Sequence, residues 1–568
     1  MDKVRIYRSQ KFASGAFICI AALVAIANSD WYAGIDDNTA MYLDCGKMIL
    51  SGKVPYIDFF DLNPPFIMYF SVLPAALASL TGGTVAACYR LLVNLFVLLS
   101  LNACGRLLSL NPLVTFKWPV LTGLVAFNLV TYFDGSFGER DHLFVIFTVP
   151  FLFLRLLRYH KFTVGKNVSF ALGMAAGLAI CIKPQCVLLP ILVELALFAL
   201  NSKTFARTHN RPELVGMSVF PLTYVILLIA VPAQSDAYLF NELLPLLSSS
   251  YCAYNIPLRE SFLLASYPQS IINGLGFGLV FALGLVALKL NWKLKVADSS
   301  VWNPSRSAYG MVVAWCLSGY IIYVMQSKGW QYQMLTAESG FIVLSAMILS
   351  DLCRGRWTQT KDRPRTAPKL WQSVAALLVW LCLLNPLLAH ATSSLLKNSV
   401  SNLAGVGGVS ELAATARETA SFQHSAFNSA DSLLILSTET SPYCRSRIDN
   451  SLPKSTLPPA SRYLWCYPLV LYQYSLVRAG ASEAQILREK IKKVIEQIAQ
   501  DVHKNKPSVI ALQAKGRSQS YFKIDSLFLE NVEFQSVLAD YSLSPQTTEH
   551  FIFYLRKESS PGSLDRGR

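Results

Sequence analysis

The chain has 568 residues, 53% of them hydrophobic and only 15% charged, and its mean hydropathy is +0.38; an ordinary soluble domain carries roughly 25% charged residues. This balance excludes a soluble enzyme. The formal net charge of +15 is not a nucleic-acid signal, because Lys and Arg gather in the short connections between apolar runs, where they set membrane topology. The twelve cysteines are scattered, many inside apolar runs, as Cys19, Cys104, Cys181 and Cys316 are. With no CxxC pair among them, neither a metal cluster nor a disulfide framework is expected.

Taken in chain order, Lys3, Arg5, Arg8 and Lys11 precede an apolar run at 12–28, which predicts a cytoplasmic N-terminus and a first span; no small-residue cleavage site follows it. Further spans are predicted at 85–105, 119–133, 142–157, 168–182, 185–200, 213–233, 268–288, 308–325, 335–352 and 371–389, about eleven in all. Segment 66–80, about 15 residues with Pro74 inside, falls short of the ~20 a spanning helix needs and is read as a helix lying on the outer face. With that reading the basic connections around Arg155, Arg158, Lys161 and Lys166, around Lys203 to Arg211, around Lys289 to Arg306 and around Arg354 to Lys369 are all cytoplasmic. The polar segments 29–84, 134–141, 234–267 and 326–334 then lie outside, and an odd span count places the C-terminal region outside as well. The expected fold class is an all-α polytopic membrane protein over 1–389, including the outer loop 29–84, followed by an extracytoplasmic α/β domain over 390–556 and a disordered tail at 557–568. The α/β signals are a β-like run at Ser432 to Leu436, an amphipathic helix from Glu483 to His503, and strands at Val509 to Leu512 and Phe551 to Leu555. Cys444 and Cys466 are the two cysteines of this outer tail, and an oxidising compartment would permit them to pair.

The chemistry concentrates in the outer segments. The first holds Asp30, Asp36, Asp37, Asp44, Asp58 and Asp61. Asp36 and Asp37 fall at a helix start, backed by the apolar residues Met41, Leu43, Met48, Ile49 and Leu50, and Tyr56 with Asn63-Pro64-Pro65 ends the segment rigidly. The second is the short loop DGSFGERDH, with Asp134, Glu139, Arg140, Asp141 and His142. Ionisable groups at this density between apolar helices are costly unless they line a hydrated cavity, and a carboxylate–imidazole cluster can hold a divalent cation. Lys183, before Pro184 in the 168–200 stretch, marks the outer tip of a helical hairpin, where its ammonium either snorkels to the interface or binds a lipid phosphate. Lys328 offers a second outer cation, beside the interfacial aromatics Trp330 and Tyr332. No nucleotide-binding glycine loop and no internal repeat are visible in the sequence.

The order of IDDNTAMY, SGKVPYIDFFDLNPPF, FGERDH and the KP of the hairpin resembles the GT-C superfamily of membrane glycosyltransferases, which includes protein O-mannosyltransferases, bacterial aminoarabinose transferases and oligosaccharyltransferases. The resemblance implies an enzyme of the bacterial inner membrane with a periplasmic C-terminal domain, transferring a sugar from a polyprenyl-phosphate donor to a hydroxyl of a glycan, lipid or protein. Asp36, or its neighbour Asp37, is then the base. The second-loop acids bind metal in some members and act without it in others, which leaves a divalent cation open. Outside the cytoplasm there is no nucleotide-sugar pool, so a glycosyl donor has to arrive attached to lipid. A lipid phosphate leaves as a stable anion, so one base suffices, and a single displacement inverts the anomeric centre; Arg140 or Lys183 would steady the leaving charge. Two rivals are a polysaccharide polymerase or ligase using lipid-linked sugars, and a secondary transporter. The transporter fits less well, because the charges sit at one membrane face and not as midplane pairs.

Overall fold

The apolar runs fold as helices, and the computed structural model of the chain is mostly helical. It describes residues 35–110, 117–133, 136–160, 162–200, 211–230, 233–262, 281–282, 284–286, 304–353, 433–437, 444, 447–448, 460–514, 524–544 and 551–557. The expected spans at 12–28 and 371–389, nearly all of 268–288, the residues Asp30 and Asp134, the basic clusters at 203–210, 289–303 and 354–369, and the tail at 558–568 lie outside the described residues. Among the described residues, Val85–Ser109, Arg140–Tyr159, Ser307–Gln326 and Tyr332–Leu349 are long and apolar enough to cross a membrane, and shorter apolar helices include Lys166–Ile182, Pro184–Leu200 and Pro212–Leu227. The chain divides into two units, one of residues 1–36, 89–227 and 255–399, the other of residues 37–88, 228–254 and 400–568.

In the first unit small residues let helix backbones touch. A Cβ on Gly173 would stand 1.9 Å from the Glu213 carbonyl oxygen, one on Gly177 2.2 Å from that of Met217, and one on Gly216 2.2 Å from that of Phe170. The Lys166–Ile182 and Pro212–Ala230 helices therefore pack through a small-xxx-small face, the way apolar helices gain van der Waals contact when the surrounding solvent is itself apolar. The same close approach joins Pro304–Gln326 to Leu335–Cys353, where a Cβ on Gly319 would lie 2.4 Å from the Ala337 nitrogen.

One correction concerns the basic residues assigned to the first cytoplasmic connection. Arg155 and Arg158 are not in a connection but in the last turns of Arg140–Tyr159, and both are buried. Arg155 Nε donates to Glu194 Oε1 at 2.5 Å and Nη1 to Glu213 Oε1 at 3.0 Å; Arg158 Nε reaches the same Glu213 oxygen at 3.2 Å and Nη2 the Ser169 hydroxyl at 2.7 Å. Charges this far from water persist only when paired, so these arginines serve helix packing and carry less topological information than free lysines would.

In the second unit the acidic segment is built into a sheet-bearing body. The segment read as one surface helix at 66–80 is two, Phe66–Phe70 and Val72–Thr81, hinged at Ser71. Gly46 of Asp37–Leu50 fits against that hinge, where a Cβ would be 2.3 Å from the Ser71 oxygen. Of the apolar residues expected behind Asp36 and Asp37, Met41, Leu43 and Met48 are buried, whereas Leu50 is exposed. Segment 234–267, expected as an outer loop, is largely helical where described, with Ala233–Tyr238, a π-helical Leu239–Leu243 and Leu244–Ser250 in this unit.

The sheet is ordered β1-β2-β4-β3, with β1 Leu433–Leu436, β2 Val509–Gln513, β3 Tyr541–Leu543 and β4 Phe551–Arg556. β1 and β2 run parallel; β4 lies antiparallel to both β2 and β3. Ile435, Val509, Ala511, Phe551 and Phe553 form its core. The Ala481–Asn505 helix turns Leu487, Ile491, Val494, Ile495, Ile498 and Val502 inward, the i, i+4, i+7 spacing of an amphipathic helix. Cys444 and Cys466 are both buried and no disulfide joins them.

Candidate active site

Asp36 immediately precedes the Asp37–Leu50 helix, and the remaining acids of the first segment divide their work. Asp58 Oδ2 accepts the Val54 N–H at 2.8 Å, and Asp61 Oδ2 accepts both the backbone N–H and the side-chain amide of Asn63 at 3.0 Å, an Asx turn. The Tyr56 hydroxyl donates to the Asn63 carbonyl at 2.5 Å, which closes the rigid turn expected there. Asp44 is buried and ion-paired, its Oδ1 2.9 Å from Arg447 Nε; burial pushes its carboxyl up, and Arg447 and a Cys444 hydrogen bond pull it back. These three acids are structural. Asp36 differs, because its side chain is hydrogen-bonded to Glu139; the side chain of Asp37 lies outside the described residues.

Glu139 caps the Arg140–Tyr159 helix, its Oε2 accepting the Arg140 N–H at 3.1 Å. The second acidic motif is therefore a helix start and not wholly a loop, since Arg140, Asp141 and His142 occupy the first turn. Carboxylates gather there because the first-turn N–H groups lack intrahelical partners and carry partial positive charge. Glu139 is almost entirely buried. Burial, then Asp36, hold its carboxyl well above the usual carboxylate range, with Arg140 opposing and Asp141 adding to the rise.

Lys183 stands where the hairpin was expected to break. It follows Lys166–Ile182 with φ −141° and ψ 81°, and Pro184 opens the next helical turn; a residue before proline is pushed out of the α region in this way. Its ammonium donates to Asp141 Oδ2 in a buried ion pair, 5.8 Å from the centre of the Tyr332 ring. Lys183 thus does not snorkel: it is 1% exposed. Asp141 Oδ1 is buried with no hydrogen-bond partner among the described residues. The buried thiol of Cys186 lies beside this pair, within reach of the charges of Lys183, Asp141 and Arg140. Lys328 is buried and donates to Asn255 Oδ1 at 2.6 Å. His142 turns to Asn128, Thr131 and Gly138. Among the described residues no three His, Cys, Asp or Glu side chains converge as a metal ion requires.

Asp36, Glu139, Arg140, Asp141 and Lys183 therefore form one cluster of carboxyls and cations at the beginning of a buried helix. Asn128 went unnoticed in the sequence, and Tyr332 was read there only as an interfacial aromatic. Asn128 and Thr131 had a signal, being polar residues inside an apolar span; Tyr332 had none beyond its place in an interfacial aromatic cluster.

No protein-family model matches the sequence, and no curated protein matches it. The fold is similar to that of two solved structures of ArnT. ArnT from Cupriavidus metallidurans bound to undecaprenyl phosphate aligns with a TM-score of 0.56 at 14% identity, covering 96% of this chain and 99% of that one. ArnT of the same organism in the apo state gives 0.52 at 12% identity, over 95% and 98% of the two chains. The oligosaccharyltransferase AglB from Archaeoglobus fulgidus, in complex with an inhibitory peptide and a dolichol-phosphate, gives 0.46 at 12% identity, over 98% and 75% of the two chains.

Proposed function

We propose that the chain is an integral membrane glycosyltransferase that moves a sugar from a polyprenyl-phosphate donor to a hydroxyl acceptor on the periplasmic side, with Asp36 as the base. The observation that carries this is the hydrogen bond between Asp36 and Glu139, which joins the first acidic motif to the second beside Arg140 and the Asp141–Lys183 pair. Asp36 takes the acceptor O–H proton as that oxygen bonds to the anomeric carbon. The bond from that carbon to the phosphate oxygen breaks, and the lipid phosphate leaves as an anion. Back-side attack in one step inverts the anomeric configuration. Arg140, half-buried, meets the leaving phosphate, and the cation of Lys183, paired with Asp141, adds positive charge to the same cluster. The GT-C fold shared with an ArnT that binds undecaprenyl phosphate supports the donor class, and the same likeness supports an inner-membrane location with the C-terminal region outside.

The test is glycan mass analysis of envelope material from a gene-deletion strain complemented with variants, paired with native mass spectrometry of purified protein with undecaprenyl phosphate. Wild type should restore the missing glycan mass; Asp36→Asn should not, its turnover falling roughly 10²-fold or more as for loss of a general base, while still binding undecaprenyl phosphate. Restoration by Asp36→Asn would overturn the assignment of the base, and no binding of undecaprenyl phosphate by wild type would overturn the donor class.

A further inference from the structure

His142 has the composition of a metal ligand or an acid–base group, yet its surroundings are those of a support. Gly138 N–H donates to Nδ1 at 3.0 Å. A backbone N–H can only donate, so Nδ1 must carry a lone pair and no proton. In a neutral ring the proton is then on Nε2, and the acceptor for it is Asn128 Oδ1 at 2.9 Å. Asn128 is itself fixed in that orientation, because its Nδ2 donates to the Leu124 carbonyl at 2.6 Å. Thr131 Oγ1 stands 3.3 Å from Nε2 while donating to the Asn128 carbonyl at 2.9 Å, and the rings of Phe127 and Phe137 lie beside the imidazole. Every polar position of a fully buried ring is thus engaged by fixed partners.

What His142 holds is the turn ahead of the acidic cluster. Gly138 has φ +78°, its carbonyl accepts the Tyr89 hydroxyl, and a Cβ on it would lie 2.7 Å from the Tyr89 ring. Gly138 is therefore gripped from both sides, its N–H by His142 and its carbonyl by Tyr89. The next residue is Glu139, whose carboxyl meets Asp36.

We propose that His142 is a positioning residue, an Nε2-protonated imidazole whose Nδ1 holds the Gly138 turn and so aims Glu139 at Asp36. The inference rests on the glycosyltransferase reading for its functional consequence, but not for its chemistry. A neutral imidazole that accepts through Nδ1 and donates through Nε2 has no nitrogen to offer a cation or a substrate.

The chemistry is tested in the wild-type protein labelled with [15N]histidine in detergent, the His142 resonances being assigned by their loss in His142→Gln. The expected pattern is an unprotonated Nδ1 and a protonated Nε2, unaltered by Zn²⁺ or Mg²⁺. An Nδ1-protonated or doubly protonated ring, or a shift on adding either ion, would overturn the proposal. The consequence is tested by kinetics with the lipid donor identified from the glycan comparison. His142→Asn places an amide oxygen near the Nδ1 position and keeps the Gly138 bond, so it should stay within roughly threefold of wild type in kcat. His142→Gln keeps only the Asn128 side and should lose roughly 10- to 100-fold in kcat at unchanged KM, the scale of a misplaced reacting group. Equal losses in the two variants, or the reverse order, would refute the positioning role. A wild-type protein that transfers no sugar would overturn the enzyme reading alone, and the tautomer would still decide whether His142 holds the turn.

Discussion

Removing the Lys183 charge tests two things that the structure ties together. The ammonium is buried against Asp141, so Lys183→Met strands a carboxylate whose other oxygen already lacks a hydrogen-bond partner among the described residues. Breaking one side of a buried ion pair costs about 3–5 kcal/mol, enough to consume much of the ~5–15 kcal/mol by which a typical domain is stable. A low yield of Lys183→Met would therefore say nothing about substrate. The informative variant is Lys183→Met with Asp141→Asn, which deletes both charges at nearly constant volume and should recover most of the loss, as replacing whole buried pairs often does. The assay is thermal melting in detergent for wild type, both single variants and the double, followed by donor kinetics on those that fold. The expected pattern is a marked drop in melting temperature for Lys183→Met, recovery in the double, and a raised KM for donor in the double through the missing cation. If Lys183→Met melts with wild type, the pair is not the buried, charge-compensated contact described. If the double variant keeps the wild-type KM, Lys183 serves the fold and Arg140 alone faces the phosphate.

Local features of the sequence were the legible ones. Lys183 could be placed at a break because Pro184 restricts the residue before it, and the boundaries of Val85–Ser109, Ala481–Asn505, β1, β2 and β4 follow hydrophobic period and run length. β3 was missed because it is three residues, Tyr541–Leu543, with only Tyr541 buried, too short to show a period. The acids of the first segment were legible as a group but not in their separate roles. Asp58 and Asp61 close turns with neighbours a few residues away, whereas Asp44 finds Arg447 some 400 positions on. Asp141 and Lys183 are likewise 42 apart. Periodicity reports that a side chain is inside; it carries no record of which distant charge lies beside it. The same limit misread Arg155 and Arg158, whose partners Glu194 and Glu213 come from other helices.

The Asp44–Arg447 pair predicts dependence of the acidic segment on the C-terminal region. Arg447→Met should make the 37–50 helix readily cut in limited proteolysis, Asp44→Asn with Arg447→Met should restore resistance, and equal resistance in all three would show the pair to be dispensable. For Glu139 the sign follows from linkage. Its folded carboxyl holds a proton well above the usual range because it is buried beside Asp36, while the unfolded group releases it near pH 4.3. Between those two values the folded state binds more protons, so this group's contribution to stability is full below the unfolded value and declines as pH rises through the window. Wild type should accordingly lose melting temperature from pH 5 towards alkaline pH more steeply than Glu139→Gln, whose amide stays neutral and can still donate to Asp36. Parallel profiles for the two proteins would mean that Glu139 is ionised in the folded state, and a shared proton could not then be what holds the two motifs together.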